Sequence, residues 1–311
     1  MEFASRTHCP ACYEPGALTL AACTVFSRFE HFPAGSVSIS PDVEAARRLL
    51  VCQACALWYF SLVPTPETIS RLLDRPGLPN RWSAGARRGT FGRAHRALAA
   101  YLLDGGRILD VGAHTGGFLS TLGPHWDKTA IEPMTQSEEI PDTVVLRAFL
   151  EDADLAPASF DCITAFDVLE HLHDPAQAIA QLAHALRPGG ILVLETGTSD
   201  SAAARRLRGG WYYLNYLEHH QAFNRRAVAS LLERKGFEVL EVQRVFHKSF
   251  PLQTKVRSVA HLVVFCGLTL SGRRSALWRT AANLTRRTVQ ASPPYTLVLE
   301  ADHMFVVARK L

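Results

Sequence analysis

The stretch RILDVGAHTGGFL, residues 107–119, constrains this chain more than any other feature. An apolar strand at 108–111 runs into a tight turn from Gly112 to Gly117, and a helix is predicted to follow at Phe118. That layout brings bare backbone and a helix N-terminus up against a ligand. About 20 residues past Gly112 a second short strand, residues 129–131, ends in Glu132. An acid there suits a ribose diol, because a carboxylate accepts two hydroxyl hydrogen bonds. The loop lacks the Lys-Ser/Thr of a phosphate cradle, and Asp110 stands at its mouth, where a polyphosphate would be repelled. An acidic, glycine-containing loop suits a cationic nucleoside instead. From the loop alone, a tight strand-to-helix turn without a ligand is the alternative.

The segments downstream narrow the choice. Residues 159–166 read as a buried strand, and a helix is predicted over 176–186, stopped by the Arg-Pro-Gly-Gly run at 187–190. Another strand, 191–195, follows at once. Strand, helix and strand at this spacing describe a parallel sheet. Through ILDVGAHTGGFL, the acid in AIEP, FLEDADL, SFDCITAFDVLEHLHDP and LRPGGILVLET, residues 95–245 resemble a class I S-adenosylmethionine (SAM)-dependent methyltransferase. The resemblance implies an α/β fold with a Rossmann-like, seven-stranded sheet. It places Gly112 and its neighbours Asp110, Ala113, His114 and Gly116 against the methionine part of SAM. Glu132 would hold the ribose, Leu150 and Glu151 would lie beside the adenine, and Phe166 and His171 would line the pocket. His114 stands where many members have glycine, so a positive φ is expected there.

Composition sets the remaining bounds. At 311 residues, 48% hydrophobic and 20% charged, the chain describes an ordinary globular protein of one large or two unequal domains. A net charge of +4 is too mild to argue for nucleic acid. Late arginine clusters, 205–208 and 273–287, read as solvated helix faces. No signal peptide or membrane span is apparent, and a cytoplasmic location is expected. The seven cysteines are then thiols or metal ligands rather than disulfides. Four of them form two pairs, Cys9/Cys12 and Cys52/Cys55. Two such pairs can close a tetrahedral, structural Zn2+ site with no open position. Free thiols or a redox pair are the alternatives.

SAM carries its own electrophile, so the protein must align a nucleophile and remove its proton. Two segments at the carboxyl ends of strands offer a base. One is Glu170-His171-Leu172-His173, where His171 serves either chemistry or loop structure. The other, GWYYLNYLEHHQAFN at 210–224, gathers aromatics, an acid and two histidines, and reads as a ligand pocket or a core-packing loop, with Asn224 capping a helix. It is similar to a segment of nucleotide-sugar C-methyltransferases. That similarity implies His219 as base, with Glu218 and Tyr216 beside it; His220 is expected to face away. The front cysteines fit the same group. The long C-terminal α/β domain of those enzymes is missing here, which favours O-methylation of a sugar or glycosylated small molecule. The rival readings are a zinc-containing RNA methyltransferase and a SAM-binding scaffold without turnover.

The domain reading is therefore a zinc-ribbon-like segment at 1–75, a SAM-binding core at 76–246, and a tail at 247–311. The tail is read as a basic helical insertion followed by a closing hairpin, 295–300 with 303–309.

Overall fold

The computed structural model describes residues 1–22, 40–73, 87–101, 105–133, 139–211, 213–214, 217–247 and 300–311. The linker expected near 75–82, Tyr216, and the basic stretch at 255–290 lie outside them.

The front segment comprises β1 (Phe3–Ser5), β2 (Ala17–Ala22), α1 (Pro41–Ala46), β3 (Arg48–Cys52), β4 (Trp58–Phe60), β5 (Leu62–Pro64) and α2 (Pro66–Leu73). The core continues with α3 (Arg88–Tyr101), β6 (Gly106–Val111), β7 (Trp126–Ile131), β8 (Thr143–Leu146), β9 (Phe160–Phe166), α4 (Pro175–Ala185) and β10 (Leu186–Gly197). It closes with α5 (Ala202–Leu207), β11 (Gln221–Ala222), α6 (Arg225–Arg234), β12 (Phe237–Val245) and β13 (His303–Lys310).

Seven strands form the expected sheet, in the order β12-β13-β10-β9-β6-β7-β8. β8, β7, β6, β9 and β10 pair in parallel, and β13 is antiparallel to both β10 and β12. The central strands are apolar without interruption because both faces are covered. Alternate residues go to opposite sides. Leu109, Ile163, Leu192 and Val306 pack with α4 and α6, whereas Ile108, Cys162, Ile191 and Phe305 pack with α3. The chain turns back across the sheet between β6 and β9. A crevice at the carboxyl ends of those two strands is where such sheets bind ligands.

Local chemistry explains several boundaries. Asp174 caps α4 by accepting from Gln177 N, and Asn224 caps α6 by accepting from Ala227 N. The helix expected at Phe118 is only a short 3-10 turn, Leu119–Thr121. Gly123 and Pro124 follow at once and leave no length for a longer helix. β13 is the antiparallel strand expected. Both of its edges are taken, by β10 and β12; the hairpin partner expected at 295–300 lies, except for Glu300, outside the described residues.

The front segment is tied into the core. Its sheet, β2-β3-β4, is extended by β11, which comes from the loop after β10. Gln221 pairs with Tyr59 and Ala222 with Trp58. The four paired cysteines are buried in the same apolar cluster as α4 and α6.

Candidate active site

The glycine loop after β6 is built as its sequence suggests. Gly112 has φ +70°, and a Cβ there would come within 2.8 Å of Val168 Cγ2. His114 adopts the expected positive φ, 52°. Its amide donates to Glu132 Oε2 at 2.7 Å, so the acid at the end of β7 holds the loop directly. Ala113, Leu150 and Glu132 are buried, while Glu151 is exposed. Phe166 packs edge-on against Phe118 at 5.2 Å beneath the loop.

Asp110 differs from expectation. It is buried and does not stand at an open mouth, and its Oδ1 accepts from the Thr164 hydroxyl at 2.6 Å. Burial pushes its carboxyl up to about 7, with Thr164 opposing the shift. It ties β6 to β9 and presents no full surface charge.

Two histidine-bearing chain segments come together after β9 and before β11. His171, after β9, and His219, before β11, lie with ring centroids 4.8 Å apart. His171 Nδ1 bonds the Glu218 carbonyl at 2.7 Å and His219 Nδ1 bonds the Tyr213 carbonyl at 2.6 Å. Burial, then the neighbouring His171, lowers the pKa of His219 below 6.5, so the ring is neutral at pH 7.

Glu170 was passed over in the sequence, though it sits beside His171. It is fully buried, accepting from Tyr213 Oη at 2.6 Å and from Thr196 Oγ1 at 2.8 Å. Tyr213 is therefore committed to Glu170 and to stacking on Trp211, and is not free to orient an acceptor. Gly197 makes room for that ring, since a Cβ there would sit 2.1 Å from Tyr213.

His220 is 1% exposed and packs on His173 at 4.9 Å, whereas His219 packs on His171. Neither of its ring nitrogens has a hydrogen-bond partner among the described residues. Burial holds it well below the usual imidazole range.

A second polar cluster went unread. Asp167, at the end of β9, meets Arg87 Nη2 at 2.8 Å and His303 Nε2 at 3.3 Å. His303 Nδ1 lies 3.0 Å from Asp302 Oδ1, and its ring stacks on His247 at 4.2 Å. The only trace in the sequence is the Asp302-His303 pair, which reads simply as the start of a strand.

The two cysteine pairs converge as spaced. Cys9 and Cys55 Sγ are 3.6 Å apart, as are Cys12 and Cys52, and one sulfur from each of the four lies within 4.8 Å of the others. None forms a disulfide. Four buried thiols in two Cys-x-x-Cys turns fit a tetrahedral zinc. Both turns also bond the starts of α4 and α6. Pro10 O accepts from Ala176 N, Ala56 O from Asn224 Nδ2 and Ala54 O from Arg226 Nη2. Arg6 bonds the His173 carbonyl and Gln221 Oε1, each at 2.8 Å.

Comparison with known proteins agrees with this fold. A family model described as a methyltransferase domain matches residues 84–242. The chain belongs to the methyltransferase-domain family. It is 35% identical over 98 residues to a probable S-adenosylmethionine-dependent methyltransferase of Mycolicibacterium smegmatis, covering 32% of this chain and 36% of that protein. It is 29% identical over 174 residues to a ubiquinone biosynthesis O-methyltransferase of Xanthomonas euvesicatoria, covering 50% and 72%. A tRNA U34 carboxymethyltransferase of Syntrophotalea carbinolica matches at 35% over 122 residues, covering 34% and 38%. The chain thus spans little more than a third of the length of the first and last of these relatives. The crystal structure of the cyclase SpnF shares the fold, with TM-score 0.51, 19% identity, and coverage of 80% and 97%. Among the described residues of this chain no helix is long and apolar enough to cross a membrane.

Glu132→Ala should weaken SAM binding by about ten- to a hundredfold, the range for losing charge-assisted hydrogen bonds. The loop also loses its His114 tether. Calorimetry returning the wild-type affinity would remove this acid from the cofactor site.

Proposed function

We propose that this methyltransferase transfers the SAM methyl group to a hydroxyl of a sugar or glycosylated small molecule. The observation that carries the reading is the pair of imidazoles, His171 and His219, at the strand ends beside the buried Glu170. A sugar hydroxyl must lose its proton as its oxygen attacks the methyl carbon. A neutral imidazole nitrogen is suited to promote that loss. His219 is assigned this part. Glu218 lies beside it and helps keep its proton affinity from falling further. Tyr216, expected to join them, lies outside the described residues. The similarity of the 210–224 loop to sugar methyltransferases supports the acceptor class. Turnover should favour a glycoside over its aglycone in kcat/KM, and equal values for the two would remove the sugar from the proposal.

The same reading includes a structural zinc held by Cys9, Cys12, Cys52 and Cys55. Bound there, it would cross-link the two turns that carry Pro10, Ala54 and Ala56. Cys52→Ser should lose that equivalent of zinc and lower the melting temperature, because structural zinc contributes folding free energy. SAM affinity should be nearly unchanged, since the cofactor loop lies on other strands. Turnover should fall with the metal, because the acceptor-side segments rest on those turns. Full zinc content in that variant, or full turnover without zinc, would contradict this role.

A further inference from the structure

The tautomers of the two acceptor-side imidazoles are set by their surroundings. His171 Nδ1 and His219 Nδ1 each face a backbone carbonyl, at 2.7 and 2.6 Å. A carbonyl oxygen only accepts, so each Nδ1 carries the hydrogen and each neutral ring has its lone pair on Nε2. Histidines that ligate metals are commonly held in this way, with the other nitrogen donating to a carbonyl or carboxylate.

Glu170 completes the group. A ligand atom from each of Glu170, His171 and His219 lies within 4.8 Å of the other two. Hydroxyls of Tyr213 and Thr196 each donate to one of its two carboxylate oxygens. Each oxygen keeps a second lone pair. Glu170 is 0% exposed, and among the described residues no Lys or Arg forms an ion pair with it. A buried carboxylate without a cation is costly.

The neighbouring Asp167–His247–His303 group makes a useful contrast. There Arg87 already pairs with the carboxylate, and His303 is clamped between two acids. That group is neutralised from within, whereas the Glu170 group is not.

We propose that Glu170, His171 and His219 bind one divalent first-row cation, with at least one coordination position open to the acceptor. Two imidazoles and one carboxylate with an open position form a donor set used by catalytic zinc and by other first-row ions. The proposal rests on the reading that this loop faces the acceptor, and it refines how the proton is lost. The acceptor hydroxyl oxygen fills the open position, its O–H bond breaks, and the proton passes to solvent water. The oxygen then forms the new bond to the SAM methyl carbon as the carbon–sulfur bond breaks, leaving its electron pair on sulfur. His219 then serves as a ligand, and the cation lowers the proton affinity of the hydroxyl.

The test uses full-length protein, first treated with a mild chelator that spares the thiolate site and then titrated with Co2+. Wild type should bind Co2+ with a visible ligand-field spectrum that disappears in His171→Gln and His219→Gln and persists in Cys52→Ser. Loss of a ligand should weaken Co2+ binding by more than the ~10- to 100-fold typical of losing a second-shell partner. Wild-type circular dichroism spectra of the two histidine variants verify that they are folded. Chelator-treated wild type should lose turnover and regain it with Mn2+, Co2+ or Zn2+. Identical titrations for wild type and His171→Gln, or full turnover after chelation, would overturn the cation and leave His219 acting as a base alone. The acceptor reading itself fails on a different result: His219→Gln turning over like wild type.

Discussion

His219→Gln should lower kcat by at least ~100-fold while SAM affinity stays near wild type, the loss expected when the group promoting proton removal is deleted. Glutamine keeps polarity and approximate size but offers no imidazole nitrogen. The adjacent His220 provides the control. It is buried, lacks hydrogen-bond partners for its ring among the described residues, and packs on His173. His220→Leu should therefore change stability more than turnover, and its kcat should stay well above that of His219→Gln. Both variants need the same acceptor at saturating SAM. If His220 proves essential and His219 dispensable, the two histidines have been assigned in the wrong order.

His303→Gln should produce the largest loss of stability. The imidazole bridges two buried carboxylates, 3.3 Å from Asp167 and 3.0 Å from Asp302. Burial alone would lower its pKa, but the hydrogen bonds His303 donates to Asp167 and Asp302 outweigh that and raise it from 6.5 to about 10. A raised folded-state pKa gives stability that is fully present below pH 6.5 and is lost as pH rises through about 10. Removing one partner of a buried ion pair typically costs about 3–5 kcal/mol, because the remaining charge is stranded. Urea unfolding at pH 7 should show that loss in the variant. Between pH 6.5 and about 10 the wild type should lose stability that the variant has already lost, so the two curves converge. Parallel curves across that interval would mean that His303 is not the cation of this cluster.

What was legible in the sequence was local. The strand ending in Asp110-Val111, the loop with His114 at positive φ, the acid at the end of β7 and the cap at Asn224 each follow from residues within a few positions of one another. β13 was also legible, because an uninterrupted apolar run at 304–308 suits a strand covered on both faces. The features that were missed depend on partners far apart in the chain. Nothing near 221 announces pairing with Tyr59, and nothing near 303 announces Asp167. The Glu170 carboxylate lay within a quoted motif, yet its role depends on Thr196 and Tyr213 arriving from other segments. The front segment reads as separate for the same reason: cysteine spacing reports ligand chemistry, but not which surface the knuckles rest on.

One measurement bears most directly on the central claim. The purified protein is incubated with SAM labelled in its methyl group and a set of glycosylated acceptors, and the product linkage is read by NMR. Label on a sugar oxygen, dependent on His219 and on intact Glu132, is the predicted result. Label on carbon, or bound SAM with no transfer to any hydroxyl, would contradict it.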